Sequence, residues 1–316
     1  VLIATSRSAT TPLELVSVPS RRLGASEVRV AVRAIGVNPV DWKMREGGPL
    51  RFAQRILGPR GPLVVGVDFA GEVVERGDRV TDLAVGARIV GGTDFSRQQR
   101  GSYADEVVVR PDQCAVLPDA IGFDAAACLP VAAVTPWIVL TERLPIGPGS
   151  KVLVLGASGG AGLYAVSLAR KLGAAVFGVC STRNVELVEG HGARAIDYAL
   201  GDALAAAHEY GPFDLILHMV GTATYPLRAC RALLRPGGIV DLAVLRASDL
   251  LAIAFARQVK AVLGRPTRAR LTPLVDALAK GELETVIEQR FPLAEAERAH
   301  QLSRAGKVVG KLLLIP

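Results

Sequence analysis

The chain has 316 residues, 50% of them hydrophobic and 21% charged, enough apolar material for one large or two ordinary globular domains, which excludes a disordered chain. Lys and Arg outnumber Asp and Glu by 37 to 30 for a formal net charge of +7, but the basic residues are scattered and few aromatics lie between them, so no nucleic-acid partner is expected. The most apolar window, Leu250 to Ala256, is bounded by Asp249 and Arg257 and is far too short for a bilayer, so no integral membrane segment is expected.

Residues 1–118 carry short alternating segments such as EVRVAVRAIGV and YADEVVVR, broken by Gly and Pro, which predicts a mostly β domain with few helices. From about residue 119, Ala- and Leu-rich helical stretches alternate with the short apolar runs KVLVLG, AVFGVC, ARAIDY, FDLILHMVG and GGIVDLA. That alternation predicts an α/β domain built on a doubly wound parallel sheet. A helical segment from Arg270 to Gly281 leads to the strand-like GKLLLIP at the end. The four cysteines, Cys114, Cys128, Cys180 and Cys230, are far apart, and no charged-then-apolar leader opens the chain. A reducing, cytoplasmic setting without disulfides or a zinc ribbon is therefore expected.

Between the strand-like KVLVLG and the helical LYAVSLARKLG lies ASGGAG, a G-x-G-x-x-G turn with Ala157 in the first glycine's place. Gly159 lets the backbone approach a pyrophosphate, and Gly162 lets the helix pack close to the strand. Ser158, Gly159, Gly160 and Ala161 at the helix start are the candidate phosphate-binding residues. The next strand ends at Cys180, followed by Ser181-Thr182-Arg183-Asn184, with no carboxylate until Glu186. An NAD-binding unit usually places an acid there for the ribose 2′-hydroxyl. Ser181, Thr182 and Arg183 instead offer donors to a 2′-phosphate, so NADPH is expected in preference to NADH. The simpler roles, a helix cap for Ser181 or Thr182 and a solvated Arg183, are compatible with this.

With both halves in view, GVNPVDWKMREG, GVDFAGEVVERGDRVTDLAVG, GSYADEVVV, AAVTPWIVL, GASGGAG, GVCSTRN, IDY, LRPGGIV and GKVVGK occur in an order that resembles the medium-chain dehydrogenase/reductase superfamily, specifically its zinc-free quinone oxidoreductase and enone reductase branch. The resemblance covers nearly the whole chain. It implies a GroES-like substrate domain of residues 1–118 and 286–316, a Rossmann domain of residues 119–285 inserted into it, and an active site in the cleft between them. It also implies a homodimer, with Gln258 to Gly264 as the edge strand that would pair. Zinc-dependent relatives have a Cys and a His-Glu pair where this chain has NPVD and Asp68-Phe69, so no metal is expected. His191, His208, His218 and His300 are isolated in sequence and are expected on the surface or in packing. His218 stands where relatives commonly have Asp.

The same resemblance suggests residue roles. Lys43 is the leading catalytic candidate, steadying an enolate oxygen or holding the cofactor ribose, and Asn38 would orient the nicotinamide ribose or substrate through its amide. Thr135 would contact the nicotinamide side, Tyr198 would lie against the adenosine phosphate, and Val220 with Gly221 would border the cofactor crevice. Tyr103 and Trp42 are expected to be structural. The chemistry implied is hydride transfer from NADPH to a conjugated enone, enal or quinone. A catalytically idle NADPH-binding sensor or scaffold, and a pathway-specific biosynthetic tailoring reductase, stay open beside it.

Overall fold

The alternation in Val28–Val37 becomes a strand in which Val28, Val30 and Val32 are buried and Arg33 is exposed, before every residue from Ala34 to Val37 is buried. The first half has the period-two burial of a half-solvated strand. The computed structural model describes residues 1–5, 11–246 and 248–316, which divide into two compact units. One comprises Val1–Val134, Arg265–Gly281 and Thr285–Pro316, the other Thr135–Gly264 and Glu282–Glu284.

In the first unit β1 (Leu2–Thr5) and β2 (Glu14–Ser17) form an antiparallel pair. Strands β3 (Val28–Val37), β4 (Asp68–Arg76), β5 (Arg88–Gly92), β6 (Glu106–Val109) and β7 (Cys114–Val116) build most of a larger sheet. Helices α1 (Pro39–Glu46) and α2 (Gly48–Leu57) lie between β3 and β4, and α3 (Phe123–Ala127) follows β7. The short helix α4 (Val134–Trp137) leads into the second unit. There the strands are β8 (Lys151–Leu155), β9 (Ala175–Cys180), β10 (Arg194–Asp197), β11 (Phe213–His218), β12 (Leu234–Leu242) and β13 (Val259–Ala261). Helices α5 (Gly160–Lys171), α6 (Val185–Gly190), α7 (Ala203–His208), α8 (Leu227–Ala232) and α9 (Asp249–Phe255) alternate with them. The chain then returns to the first unit with α10 (Arg268–Ala279), β14 (Ile287–Pro292), α11 (Ala296–Ala305) and β15 (Lys311–Ile315).

The larger sheet of the first unit runs β14-β15-β3-β4-β5-β7, with β6 also pairing with β3. The last strand of the chain thus lies antiparallel to the carboxyl end of β3, Leu314 opposite Ile35 and Leu312 opposite Val37. Phe69, Tyr103, Phe291, Ile3, Ile35 and Ile89 fill this unit's core. The second unit is a six-stranded parallel sheet in the order β10-β9-β8-β11-β12-β13, around a core that includes Leu153, Leu155, Phe213, Ile216, Val240 and Leu242. Its first and fourth strands are neighbours, so the strand order reverses at β8 and β11, and such sheets bind ligands at the carboxyl ends of the strands at that point.

The boundary between the units differs from the sequence expectation. Residues 119–134 and 265–281 join the first unit, although their composition reads as part of the parallel-sheet half. Arg268 at the start of α10 donates to the carbonyls of Cys114 and Pro111, and the backbone of α3 packs so tightly on β3 that a Cβ on Gly36 would meet the Ala127 carbonyl oxygen at 2.3 Å. Few helices were expected in the β-rich half, and among its described residues α1 and α2 are the two α-helices before residue 119. Pro39 opens α1, and the Asp41 carboxylate accepts the Asn38 backbone N–H at 2.8 Å, a reciprocal start signal that a β-type texture masks.

Candidate dinucleotide and catalytic sites

The run Val152 to Leu155 is buried throughout as β8, and the chain leaves it at Gly156 in a left-handed conformation, φ +87°. A Cβ on Gly156 would meet Val220 Cγ1 at 2.5 Å, so the turn after β8 and the loop after β11 touch at the switch point. A Cβ on Gly162 would meet the Gly156 carbonyl oxygen at 2.2 Å, whereas one on Gly159 would find nothing closer than that same oxygen at 3.6 Å. Gly162 therefore serves close packing, and Gly159 keeps an open approach to the backbone. No side chain caps the start of α5, whose first-turn N–H groups have no intrahelical partner and carry the positive end of the helix dipole. Ser158, Gly159, Gly160 and Ala161 are half-buried around this opening. The residues fit a dinucleotide pyrophosphate: open space above Gly159 and an uncapped helix start are what such a group requires.

One strand over, β9 ends at buried Cys180, and Ser181 is half-buried while Thr182 and Arg183 are exposed. Ser181 does not cap the following turn through its side chain. Instead the buried Asn184 donates from Nδ2 to Ser158 Oγ at 3.0 Å and to Ser181 Oγ at 3.2 Å, joining the ends of β8 and β9. Tyr198 is 52% exposed and is held beside them by its backbone N–H on the Cys180 carbonyl, 3.0 Å. Asp197, opposite Cys180 in the register, turns its carboxylate to the Ala199 N–H at 2.9 Å. Ser158, Ser181, Thr182, Arg183 and Tyr198 thus gather at one corner of the sheet, and Asn184, to which the sequence assigns no role, joins them. Its place at the end of STRN was the available signal.

At the end of β11, His218 is fully buried. The Gly221 N–H donates to its Nδ1 at 3.3 Å, so Nε2 carries the hydrogen and donates to the Tyr225 carbonyl at 2.9 Å. Burial holds this ring below the usual histidine range, and as a neutral imidazole it pins both ends of the loop containing Val220, which is 41% exposed. Thr222 ties the same loop to buried Asp249 of α9 at 2.8 Å. Thr135 is buried on α4.

Lys43 and Asn38 belong to the first unit. Lys43 is half-buried on α1, its Nζ 5.4 Å from the Trp42 ring centroid, and burial, opposed in part by Glu46, pushes its ammonium below the usual lysine range. The Asn38 amide turns inward. Its Nδ2 donates to Asp68 Oδ2 at 2.8 Å, and its Oδ1 accepts from Lys311 Nζ at 2.6 Å. Asp68, fully buried, also accepts the Val131 N–H at 3.0 Å. Burial raises its pKa to about 6 despite Lys311 and these bonds. Asp41, also fully buried, is raised to about 7, again mainly by burial. Tyr103, expected to be structural, is fully buried, and the half-buried Trp42 donates from its indole to Ser303 Oγ at 3.1 Å. His300 is buried as well. The polar network it shares with Tyr103, Asp41 and Arg45 is invisible to local pattern, because hydrogen-bonded partners in it are up to 255 residues apart.

Residues 24–119 match the family model of the alcohol dehydrogenase GroES-like domain, and residues 191–314 that of the zinc-binding dehydrogenases. A chloroplast envelope quinone oxidoreductase homolog from Arabidopsis thaliana is 31% identical, covering 96% of this chain and 94% of that one. A trans-enoyl reductase from Aspergillus terreus is 30% identical over 93% of this chain and 88% of its own. The solved quinone oxidoreductase from Coxiella burnetii superposes with a TM-score of 0.88 at 26% identity, covering 100% of this chain and 98% of that one. No helix among the described residues is long and apolar enough to cross a membrane. A Rossmann-type parallel sheet, a GroES-like domain and relatives matched along almost the full chain lead to one conclusion: this protein belongs to the medium-chain dehydrogenase/reductase superfamily, in its quinone oxidoreductase branch, and is an oxidoreductase built on an NAD(P)-binding fold.

Proposed function

We propose that this protein is an NADPH-dependent reductase that acts on conjugated enones, enals or quinones without zinc. The observation that carries the coenzyme preference is the corner at the end of β9, where Ser181, Thr182 and Arg183 stand in place of a carboxylate and Asp197 is turned to its own loop. An acid here would repel a 2′-phosphate, while hydroxyls and a guanidinium donate to it. When bound, NADPH supplies the hydride. The protein's part is to grip the pyrophosphate on the first turn of α5, hold the 2′-phosphate at the β9 corner, and align the acceptor with a donor for its oxygen.

Lys43 is that donor in this proposal. Burial weakens its hold on the proton, which suits a group that must hydrogen-bond to, or protonate, a developing oxyanion. Asn38 acts on the same element by anchoring the start of α1 to Asp68 and Lys311. Residue type supports zinc-free chemistry: the Asp68 carboxylate is occupied by an amide and faces an ammonium, Lys311 Nζ at 3.7 Å, which opposes a cation at the same oxygen. The reducing, cytoplasmic setting is part of the proposal and is supported by four buried free thiols. A homodimer through the outer edge of β13 is part of it too. That edge is bordered by Leu250, Leu251, Phe255 and Leu263, each more than half exposed, an apolar margin beside the outer side of a strand that pairs only with β12 among the described residues.

Titration calorimetry with NADPH and NADH, followed by the loss of NADPH absorbance with a panel of conjugated carbonyls and quinones, tests the function. Tighter binding of NADPH and turnover on at least one class are expected. Binding without turnover across the panel would leave an idle coenzyme binder, and no binding of either coenzyme would end the proposal. Light scattering on the purified chain reads the dimer.

A further inference from the structure

Asn184 is 7% exposed and lies between the two strand ends that bear the phosphate-binding corner. Its side-chain nitrogen has two hydrogens, and each has a serine oxygen in reach: Ser158 Oγ in the turn after β8 and Ser181 Oγ at the end of β9. A serine hydroxyl both accepts and donates. When its oxygen receives the amide hydrogen, its own hydrogen is left to donate elsewhere. Both serines are half-buried, so these hydrogens are available on the open side, where the uncapped start of α5 and the acid-free end of β9 already favour an anion.

We infer that Asn184 is a specificity-determining residue: by donating to Ser158 and Ser181 it sets both hydroxyls as donors toward the phosphate groups of a dinucleotide, favouring the phosphorylated coenzyme. This rests on the NADPH proposal above and adds to it a residue that acts through two others. The direction of the amide is the point at issue. If Oδ1 faced the serines, they would donate inward, and the corner would present oxygen lone pairs to an anion, which repel it.

The test is Asn184→Asp, nearly the same shape with no donor, compared with wild type by titration calorimetry using NADPH and NADH, with thermal melting to confirm folding. Asp draws both hydroxyl hydrogens inward, so the Kd for NADPH is expected to rise at least tenfold and that for NADH by less. The new charge alone would also weaken NADPH, so the same change is made in a Ser158→Ala/Ser181→Ala background. There the orienting effect has nothing to act through, and the loss caused by Asn184→Asp is expected to shrink to a small fraction of its size. A Kd for NADPH within threefold of wild type, or an undiminished loss in the serine-less background, overturns the inference. The NADPH proposal is judged separately, by the wild-type ratio of the two coenzymes. Should Asn184→Asp unfold the chain, Asn184→Ser, which keeps a donor for one serine, is expected to retain part of the preference, and complete loss there would count against the inference.

Discussion

His300 Nε2 lies 2.9 Å from the Tyr103 hydroxyl, and the opposite face of the ring settles which way that bond runs. Arg45 Nη1 is 3.3 Å from Nδ1, and a guanidinium only donates. Nδ1 therefore accepts, Nε2 donates to the tyrosine oxygen, and the Tyr103 hydroxyl donates to Asp41 Oδ2 at 3.2 Å. The result is a directed chain from Arg45 through His300 and Tyr103 to Asp41. It leaves α1, passes through α11 and the loop before β6, and returns to α1. Arg45 is also held by Glu297 Oε2 at 2.7 Å and by the Thr11 carbonyl at 2.6 Å.

The first prediction concerns acid stability. Burial, with Arg45 and Arg304 nearby, pushes His300 down to about 3, below its unfolded value. Between that pH and about 6.5 the unfolded chain binds more protons, so stability is lost as pH falls through this window. His300→Gln offers an acceptor to Arg45 and a donor to Tyr103 but does not titrate. Urea unfolding midpoints of wild type are expected to drop faster than those of the variant between pH 6.5 and 4.5. Parallel curves would show that the ring does not hold its neutral form in the fold.

Asp41 has the opposite sign. Its folded pKa of about 7 lies above its ordinary value, so between about pH 4 and 7 the folded chain holds the extra proton and loses that advantage as pH rises. Asp41→Asn keeps an oxygen for the Asn38 N–H and cannot ionise. The stability of wild type relative to this variant is expected to decline from pH 4 to pH 7, read again as urea midpoints. A rising difference would place Asp41 as an ordinary low-pKa carboxylate.

Two glycines of the phosphate turn separate packing from binding. Gly162→Ala brings a Cβ to 2.2 Å from the Gly156 carbonyl oxygen, and an overpacked contact of this kind costs about 1–3 kcal/mol, so a lower melting temperature is expected with or without coenzyme. Gly159→Ala meets only that oxygen at 3.6 Å, so near-normal melting is expected while the Kd for NADPH rises about tenfold or more, roughly 1.4 kcal/mol. Calorimetry and thermal melts on the pair check this. Unchanged coenzyme affinity in Gly159→Ala would remove the turn from the binding site.

Replacing Lys43 by Met keeps the length of the aliphatic stem and removes the donor. The expected result is a fall in kcat of about 10²-fold or more, with folding unchanged and NADPH still bound, measured as NADPH oxidation with the best acceptor from the panel. A kcat within a few-fold of wild type would assign the proton or hydrogen bond to another group.

The order of strands and helices in the second unit could be read from residues alone because its signals are local. Val152 to Leu155 is apolar as β8, Gly156 to Gly159 bends the chain, and the helix follows from Gly160, all within about one parallel-strand unit. Apolar residues with a period of two likewise marked β3. Tertiary structure was needed wherever partners come from distant parts of the chain. Asn38 meets Lys311, Tyr103 meets His300 and Asn184 meets Ser158 only because strand order and register bring them together. The composition of a segment reports how much of it is buried, but a hydrogen bond depends on where two atoms sit to within a few tenths of an ångström, and that is decided when the sheets assemble.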